Sequence, residues 1–207
     1  MEAAASSLAQ LPLFPLGTVL FPDGVLALQI FEPRYLDMIG RRHAAGAPFG
    51  VVCLSEGSEV RRRAASGDGF AAEAFFPVGT LARIAQLERP QPGLMLIRCV
   101  GTQRFRVQRS AQQQFGLWVG DVELLADDAT LPVPDDLAFT RAALQALGSG
   151  EPGRWDDCGW LANRWCELLP LQPELKQRLL ALPSPVLRLE LVADTLARLG
   201  IAAPRSA

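Results

Sequence analysis

Short apolar runs of strand-forming residues, each bounded by Gly, Pro or Asp, fill the first half of the chain at 11–14, 25–30, 49–54, 78–87, 94–100, 104–108 and 117–125. Seven such segments with turn residues between them predict a closed or nearly closed β-barrel. Arg89-Pro90-Gln91-Pro92-Gly93 reverses the chain between 84–87 and 94–97. Phe21-Pro22-Asp23-Gly24 has Pro second and Gly fourth, the pattern of a type I turn. One helix interrupts the strands: Pro33 suits its first position, and Tyr35, Leu36 and Ile39 share a face. Glu32 and Asp37 near its start, with Arg41 and Arg42 near its end, would complement the helix dipole. The segment 55–74, with Gly57, Arg61-Arg62-Arg63 and Ser66-Gly67-Asp68-Gly69, reads as an exposed loop.

The period lengthens after a connector rich in Pro and Asp, Ala126-Asp127-Asp128-Ala129-Thr130-Leu131-Pro132-Val133-Pro134-Asp135-Asp136. Helices are predicted over 136–147, ending at Gly148, and over 156–169, with Leu161, Trp165, Leu168 and Leu169 facing inward. Pro173 and Ser184-Pro185 mark two further helix starts, Ser184 as an N-cap, and Leu189, Val192, Leu196 and Leu199 form the inner stripe of the last helix. Composition divides at the same place, since nine of ten phenylalanines lie between Phe14 and Phe115 and three of four tryptophans follow residue 150. The expected fold is α+β: a β-barrel over 8–125 with one inserted helix, a linker over 126–135, and a helical bundle over 136–202 docked on the barrel.

Some of these runs carry more than periodicity. The stretch 11–39, LPLFPLGTVLFPDGVLALQIFEPRYLDMI, sets prolines and glycines among dense apolar residues ahead of the helix start. It resembles the opening of the amino-terminal substrate-binding domain of Lon, the ATP-dependent protease. Phe76-Pro77-Val78-Gly79-Thr80-Leu81-Ala82-Arg83-Ile84 is similar to that domain's other signature strand, and Gly101-Thr102-Gln103-Arg104-Phe105-Arg106-Val107 to the hairpin after it. Leu161-Ala162-Asn163-Arg164-Trp165-Cys166-Glu167-Leu168-Leu169-Pro170 and Glu174-Leu175-Lys176-Gln177-Arg178-Leu179-Leu180 resemble its helical tail, so the likeness covers nearly the whole chain. It implies that the barrel is PUA-like and that the activity is ATP-independent contact with unfolded or degron-bearing proteins in quality control. A separate ATP-dependent protease is then a candidate partner.

Candidate chemistry narrows the function further. Full-length Lon continues into an ATPase and a Ser-Lys protease, yet this chain has no GxxxxGK[ST] loop and one lysine, Lys176, in a helix turn that reads as solvated. A free-standing, non-catalytic binding domain without cofactor is expected. The single histidine, His43, ends the first helix and reads as a partner of helix-end carbonyls, so neither a catalytic triad nor a transition-metal site is expected. Cys53, Cys99, Cys158 and Cys166 form no CxxC pair and read as buried thiols. Asp127-Asp128, Asp135-Asp136 and Asp156-Asp157 read as solvated or capping.

A net charge of −2 and a pI near 5.5 disfavour a dedicated nucleic-acid binder. PUA folds do bind RNA in other proteins, so Arg104 and Arg106, on one face by the strand period, are the runner-up contact; pairing of the strand arginines with Glu88, Asp121 and Glu123 is the favoured reading. No apolar run reaches membrane-spanning length, and the first ten residues lack the basic start of a secretory signal, which predicts a cytoplasmic protein without a membrane partner. The peptide-binding candidates are Phe31, Glu32, Arg34 and Tyr35, where aromatic, acidic and basic groups meet at the strand-to-helix junction. The competing reading makes Phe31 and Tyr35 plugs of the barrel end, with Glu32 and Arg34 paired internally.

Overall fold

The computed structural model describes residues 6–56, 73–148 and 153–201. The chain divides into two compact units, residues 1–126 and 127–207. In chain order the first holds β1 (Ser7–Leu16), β2 (Val25–Ile30), α1 (Pro33–Ala44), β3 (Phe49–Glu56), β4 (Ala74–Gln91), β5 (Leu94–Gln112) and β6 (Trp118–Leu124). The sheet runs β2-β5-β4-β3-β1-β6, and β6 pairs with β5 as well as with β1. Only β1 and β3 run parallel; the other pairings are antiparallel.

Strand β1 is buried on both faces. Leu11 and Leu13 pack with Val52, Phe105 and Val122, while Phe14 and Leu16 pack with Ile30, Tyr35, Ile39 and Phe49. A strand covered on both faces reads as a nearly continuous apolar run, which is why LPLFPL shows no alternation.

Two expectations about the strands need correction. Segments 94–100 and 104–108 are one strand of 19 residues, so the described residues form six strands where seven were predicted. Gly101, read as a break, lies inside β5 because the chain passes so close there: a Cβ would stand 2.2 Å from the Phe21 carbonyl oxygen. The 21–24 reversal has its Gly24 N–H to Phe21 O bond, but Asp23 at the third position has φ of 61°. A type I turn keeps that position at negative φ, whereas a type II turn requires the left-handed region, which Asp tolerates better than most residues. The predicted hairpin at 89–93 does form, with Gly93 at φ of 81° closing the link from β4 to β5. Of the expected 55–74 loop, Ser55 and Glu56 belong to β3 and Ala74 to β4, while 57–72, with the Arg61-Arg62-Arg63 run, lie outside the described residues.

Gly79 carries the sheet's tightest constraint after Gly101. A Cβ there would lie 2.4 Å from Val51 O and 2.6 Å from the Phe105 ring, a backbone and a fully buried aromatic. Neither can yield cheaply. Gly79→Ala is expected to cost about 1–3 kcal/mol in urea unfolding, the usual range for overpacking; an unchanged midpoint would show that β3 and β4 separate freely.

The second unit holds α2 (Ala138–Ala146), α3 (Cys158–Leu168), α4 (Pro173–Ala181) and α5 (Pro185–Arg198), with α3 packed chiefly on α5. The helix starts follow local chemistry. Asp157 caps α3 by accepting from Gly159 and Trp160 N–H, Ser184 Oγ accepts from Leu187 N–H, and Pro173 and Pro185 open their helices. Gly148 at φ of 76° follows the end of α2. Leu189, Val192 and Leu196 are buried as predicted, but Leu168 and Leu199 are exposed, Leu199 because α5 ends one residue before it. Asp128, expected to be solvated or capping, instead pairs with buried Arg188 at 2.5 Å. Lys176 also departs from the solvated reading, donating to Glu167 O at 3.1 Å. Among the described residues, no helix is long and apolar enough to cross a membrane, which leaves β-barrel spanning unaddressed.

Candidate functional site

The junction of β2 and α1 is shaped by Pro33. A residue before proline avoids the helical region, and Glu32 is extended at φ −74° and ψ 130°, so the chain leaves β2 straight before the helix begins. This leaves Phe31 54% exposed and turns Arg34 and Tyr35 inward, each below a tenth exposed. The Arg34 guanidinium donates from Nη1 to Gly116 O at 2.8 Å, pairs from Nε with Glu32 Oε2 at 3.1 Å, and lies 3.6 Å from Glu73 Oε1. Trp118 Nε1 donates to the other Glu73 oxygen at 2.9 Å. Glu32 stands at the N-cap of α1 and pairs with Arg34 without making a cap hydrogen bond, Asp37 pairs with Arg41 one turn on and lies beyond the first turn, and Arg41 and Arg42 stand in the last turn as the sequence suggested.

Below this network the Tyr35 ring stacks on Phe14, centroids 4.0 Å apart, with Arg34 4.4 Å over its other side. A cavity of about 240 Å³ opens beside the stack. Phe14, Leu16, Leu28, Ile30, Phe31 and Tyr35 supply its apolar wall, and Gln29 and Glu32 its polar side chains. Three of the four sequence candidates, Phe31, Glu32 and Tyr35, thus line one cavity, and Arg34 braces it from behind. Sequence reasoning missed Phe14, Glu73 and Gly116. Each comes from a distant strand or turn, and nothing local in the sequence marks it as a neighbour of Arg34 or Tyr35.

An apolar hollow with one carboxylate at its edge can bind, but it holds no paired nucleophile and base. His43 is exposed at the end of α1, among the basic residues of its last turn. The four cysteines are buried; burial pushes the Cys99 thiol up to about 11 and the Cys166 thiol to about 12, and it raises Cys158 as well. Thiols held neutral in this way make poor nucleophiles.

The runner-up pair divides. Arg106 is exposed opposite Glu123 of β6, while Arg104 is buried and donates to Ala126 O at 3.4 Å. An arginine committed to a carbonyl inside the protein is not offered to a phosphate. Arg109 pairs with Asp121 at 3.1 Å, one of the cross-strand pairs expected.

Known proteins resemble the chain along most of its length. The family model of the ATP-dependent protease La (Lon) substrate-binding domain matches residues 10–198. Among solved structures, the Lon N-terminal domain protein from Xanthomonas campestris is similar at 32% identity, covering 93% of this chain and 98% of that one with a TM-score of 0.72. The N-terminal domain of Mycobacterium avium complex Lon protease shares the fold at 19% identity and a TM-score of 0.61, over 93% of this chain and 98% of its own. No curated protein matches.

Proposed function

The chain belongs to the substrate-binding domain family of ATP-dependent protease La (Lon), and we propose that it is a non-catalytic module that contacts unfolded or degron-bearing proteins in cytoplasmic quality control. The family's domain is a substrate-recognition unit, distinct from the catalytic portion of Lon. The observation that carries the proposal is the exposed Phe31 ring at an apolar cavity, a large aromatic left available beside a hollow that can take an apolar side chain. Clients would be retained without ATP turnover and passed to a separate ATP-dependent protease. The proposed organisation keeps a PUA-like barrel at 8–125, a linker at 126–135 and a helical bundle at 136–202. Support for the barrel comes from β6, whose pairing with both β1 and β5 carries the ladder back to a strand it already contains.

Fluorescence anisotropy with a reduced, unfolded model protein tests this reading. Binding is expected to persist between roughly 50 and 200 mM salt, where a phosphate-contacting protein loses orders of magnitude. Phe31→Ala should weaken it roughly tenfold while leaving the melting temperature nearly unchanged, because the ring is mostly outside the core. Undiminished binding by Phe31→Ala would remove the proposed site, and steeply salt-dependent binding of single-stranded RNA would favour the nucleic-acid reading.

A further inference from the structure

Among the described residues, no strand pairs with the outer edge of β2. In the sheet order this strand has β5 on one side and no described strand on the other. Exposed edges are commonly blunted by Lys, Pro, a bulge or a covering segment. Val25-Leu26-Ala27-Leu28-Gln29-Ile30 has no charge and no proline, and it pairs with β5 without a register shift.

The direction of its free groups follows from the ladder. Gly101 N–H donates to Gly24 O at 2.8 Å, which makes Gly24 and Gly101 a hydrogen-bonded antiparallel pair. Alternation along the same register gives Leu26, Leu28 and Ile30 to β5 and turns the N–H and C=O of Val25, Ala27 and Gln29 outward. The side chains alternate with the same period: Leu26, Leu28 and Ile30 pack on the core while Val25, Ala27 and Gln29 are exposed. The cavity lies along this edge, lined by every residue from Ala27 to Glu32.

We infer that the β2 edge is a strand-addition site, at which an extended segment of a client protein pairs with the outward groups of Ala27 and Gln29 and places an apolar side chain in the cavity. Main-chain pairing is indifferent to sequence, as recognition of many unfolded chains requires, and the hollow adds a preference for apolar residues at alternate positions. Charge selects the flank. Glu32 and Glu73 bring two carboxylates to the single guanidinium of Arg34, and Glu32 Oε1 has no described partner. A Lys or Arg on the segment would meet that oxygen at the cavity's polar side.

This mode rests on the peptide-binding reading and can fail without it. The probe is a synthetic peptide of about eight residues, alternating Val and Thr and ending in Lys. It is prepared in two N-methylated forms that block alternate amides and hence opposite edges of the extended chain. One form should bind this protein within about twofold of the parent peptide, and the other at least tenfold more weakly. Ala27→Pro should weaken parent binding to a similar degree. It removes an outward N–H and leaves the β5 ladder, a place where an edge strand accepts proline. Should Ala27→Pro fail to fold, the methylated peptides still decide on the unaltered protein. Glu32→Gln should weaken the Lys peptide severalfold more than a Gln-ended peptide.

Equal affinity for both methylated forms, with unfolded protein still bound, would overturn the edge and spare the broader function. Failure to bind peptide and unfolded protein alike would overturn both. A self-associated form dispersed by Ala27→Pro in analytical ultracentrifugation would make the occupant a second copy of this chain and sink the client-segment proposal.

Discussion

Arg188→Met is expected to destabilise the helical unit by about 3–5 kcal/mol, the range found when one member of a buried ion pair is removed. Arg188 is 0% exposed. Its Nε donates to Leu179 O at 2.9 Å, and Nη1 reaches Asp128 Oδ2 at 2.5 Å and Asn163 Oδ1 at 2.9 Å. Nη2 donates to Leu182 O at 2.7 Å. One side chain therefore ties Asp128, near the start of the helical unit, to α3 and to the end of α4. Methionine fills similar space but withdraws the guanidinium from a carboxylate, an amide oxygen and two carbonyls, and its loss at the carboxylate dominates the cost. Replacing Asp128 and Asn163 with Leu as well should recover much of the loss, since an apolar core of equal volume carries no desolvation penalty. Urea unfolding of single and triple variants measures both terms; a change below about 1 kcal/mol for Arg188→Met would show that water replaces the guanidinium without cost.

Tyr35→Ala should cost about as much, roughly 3–5 kcal/mol, as large aromatic truncations in cores do. Tyr35 is 2% exposed, stacked on Phe14 and covered by the Arg34 guanidinium. Truncation removes the middle of a three-layer stack and enlarges the cavity beneath Phe31. The melting temperature of a chain this size should fall on the order of 10 °C. Tyr35→Phe, which keeps the ring, should lose clearly less. The contrast with Phe31→Ala separates the roles of two residues four positions apart: one is architecture, the other is presented. A Tyr35→Ala protein that melts like the parent would mean that the stack contributes nothing to the core.

The parts of the fold legible in the sequence are those decided within a few residues. Pro33, Pro173 and Ser184 fix helix starts because a missing N–H or a capping hydroxyl acts on its own turn. Gly93 fixes the long hairpin for the same reason. The likeness to the Lon domain, carried by 11–39, 76–84 and 101–107, is borne out by a family match spanning all three. What stayed hidden depends on strands remote in sequence. Gly101 looks like a turn until the Phe21 carbonyl is set against it. Arg104 and Arg188 look like surface charge because burial of an arginine is licensed by its acceptors, and Ala126 O, Asp128 and Asn163 carry no local mark of that duty. At the candidate site the composition of Phe31 to Tyr35 was visible, whereas the division into exposed Phe31 and buried Arg34 and Tyr35 needed Phe14, Glu73 and Gly116 in place.

The position of β1 between β3 and β6 sets a timetable for synthesis. Leu13 pairs with Gly50 on one side and Trp118 on the other, so its second neighbour is translated about a hundred residues after it. At roughly 5–20 residues per second, the nascent β1 waits on the order of ten seconds with one side unpaired. Leu11, Leu13, Phe14 and Leu16 are open to the wrong contacts throughout that interval. While still on the ribosome, a protein proposed to hold unfolded chains is itself an unfolded chain in need of holding.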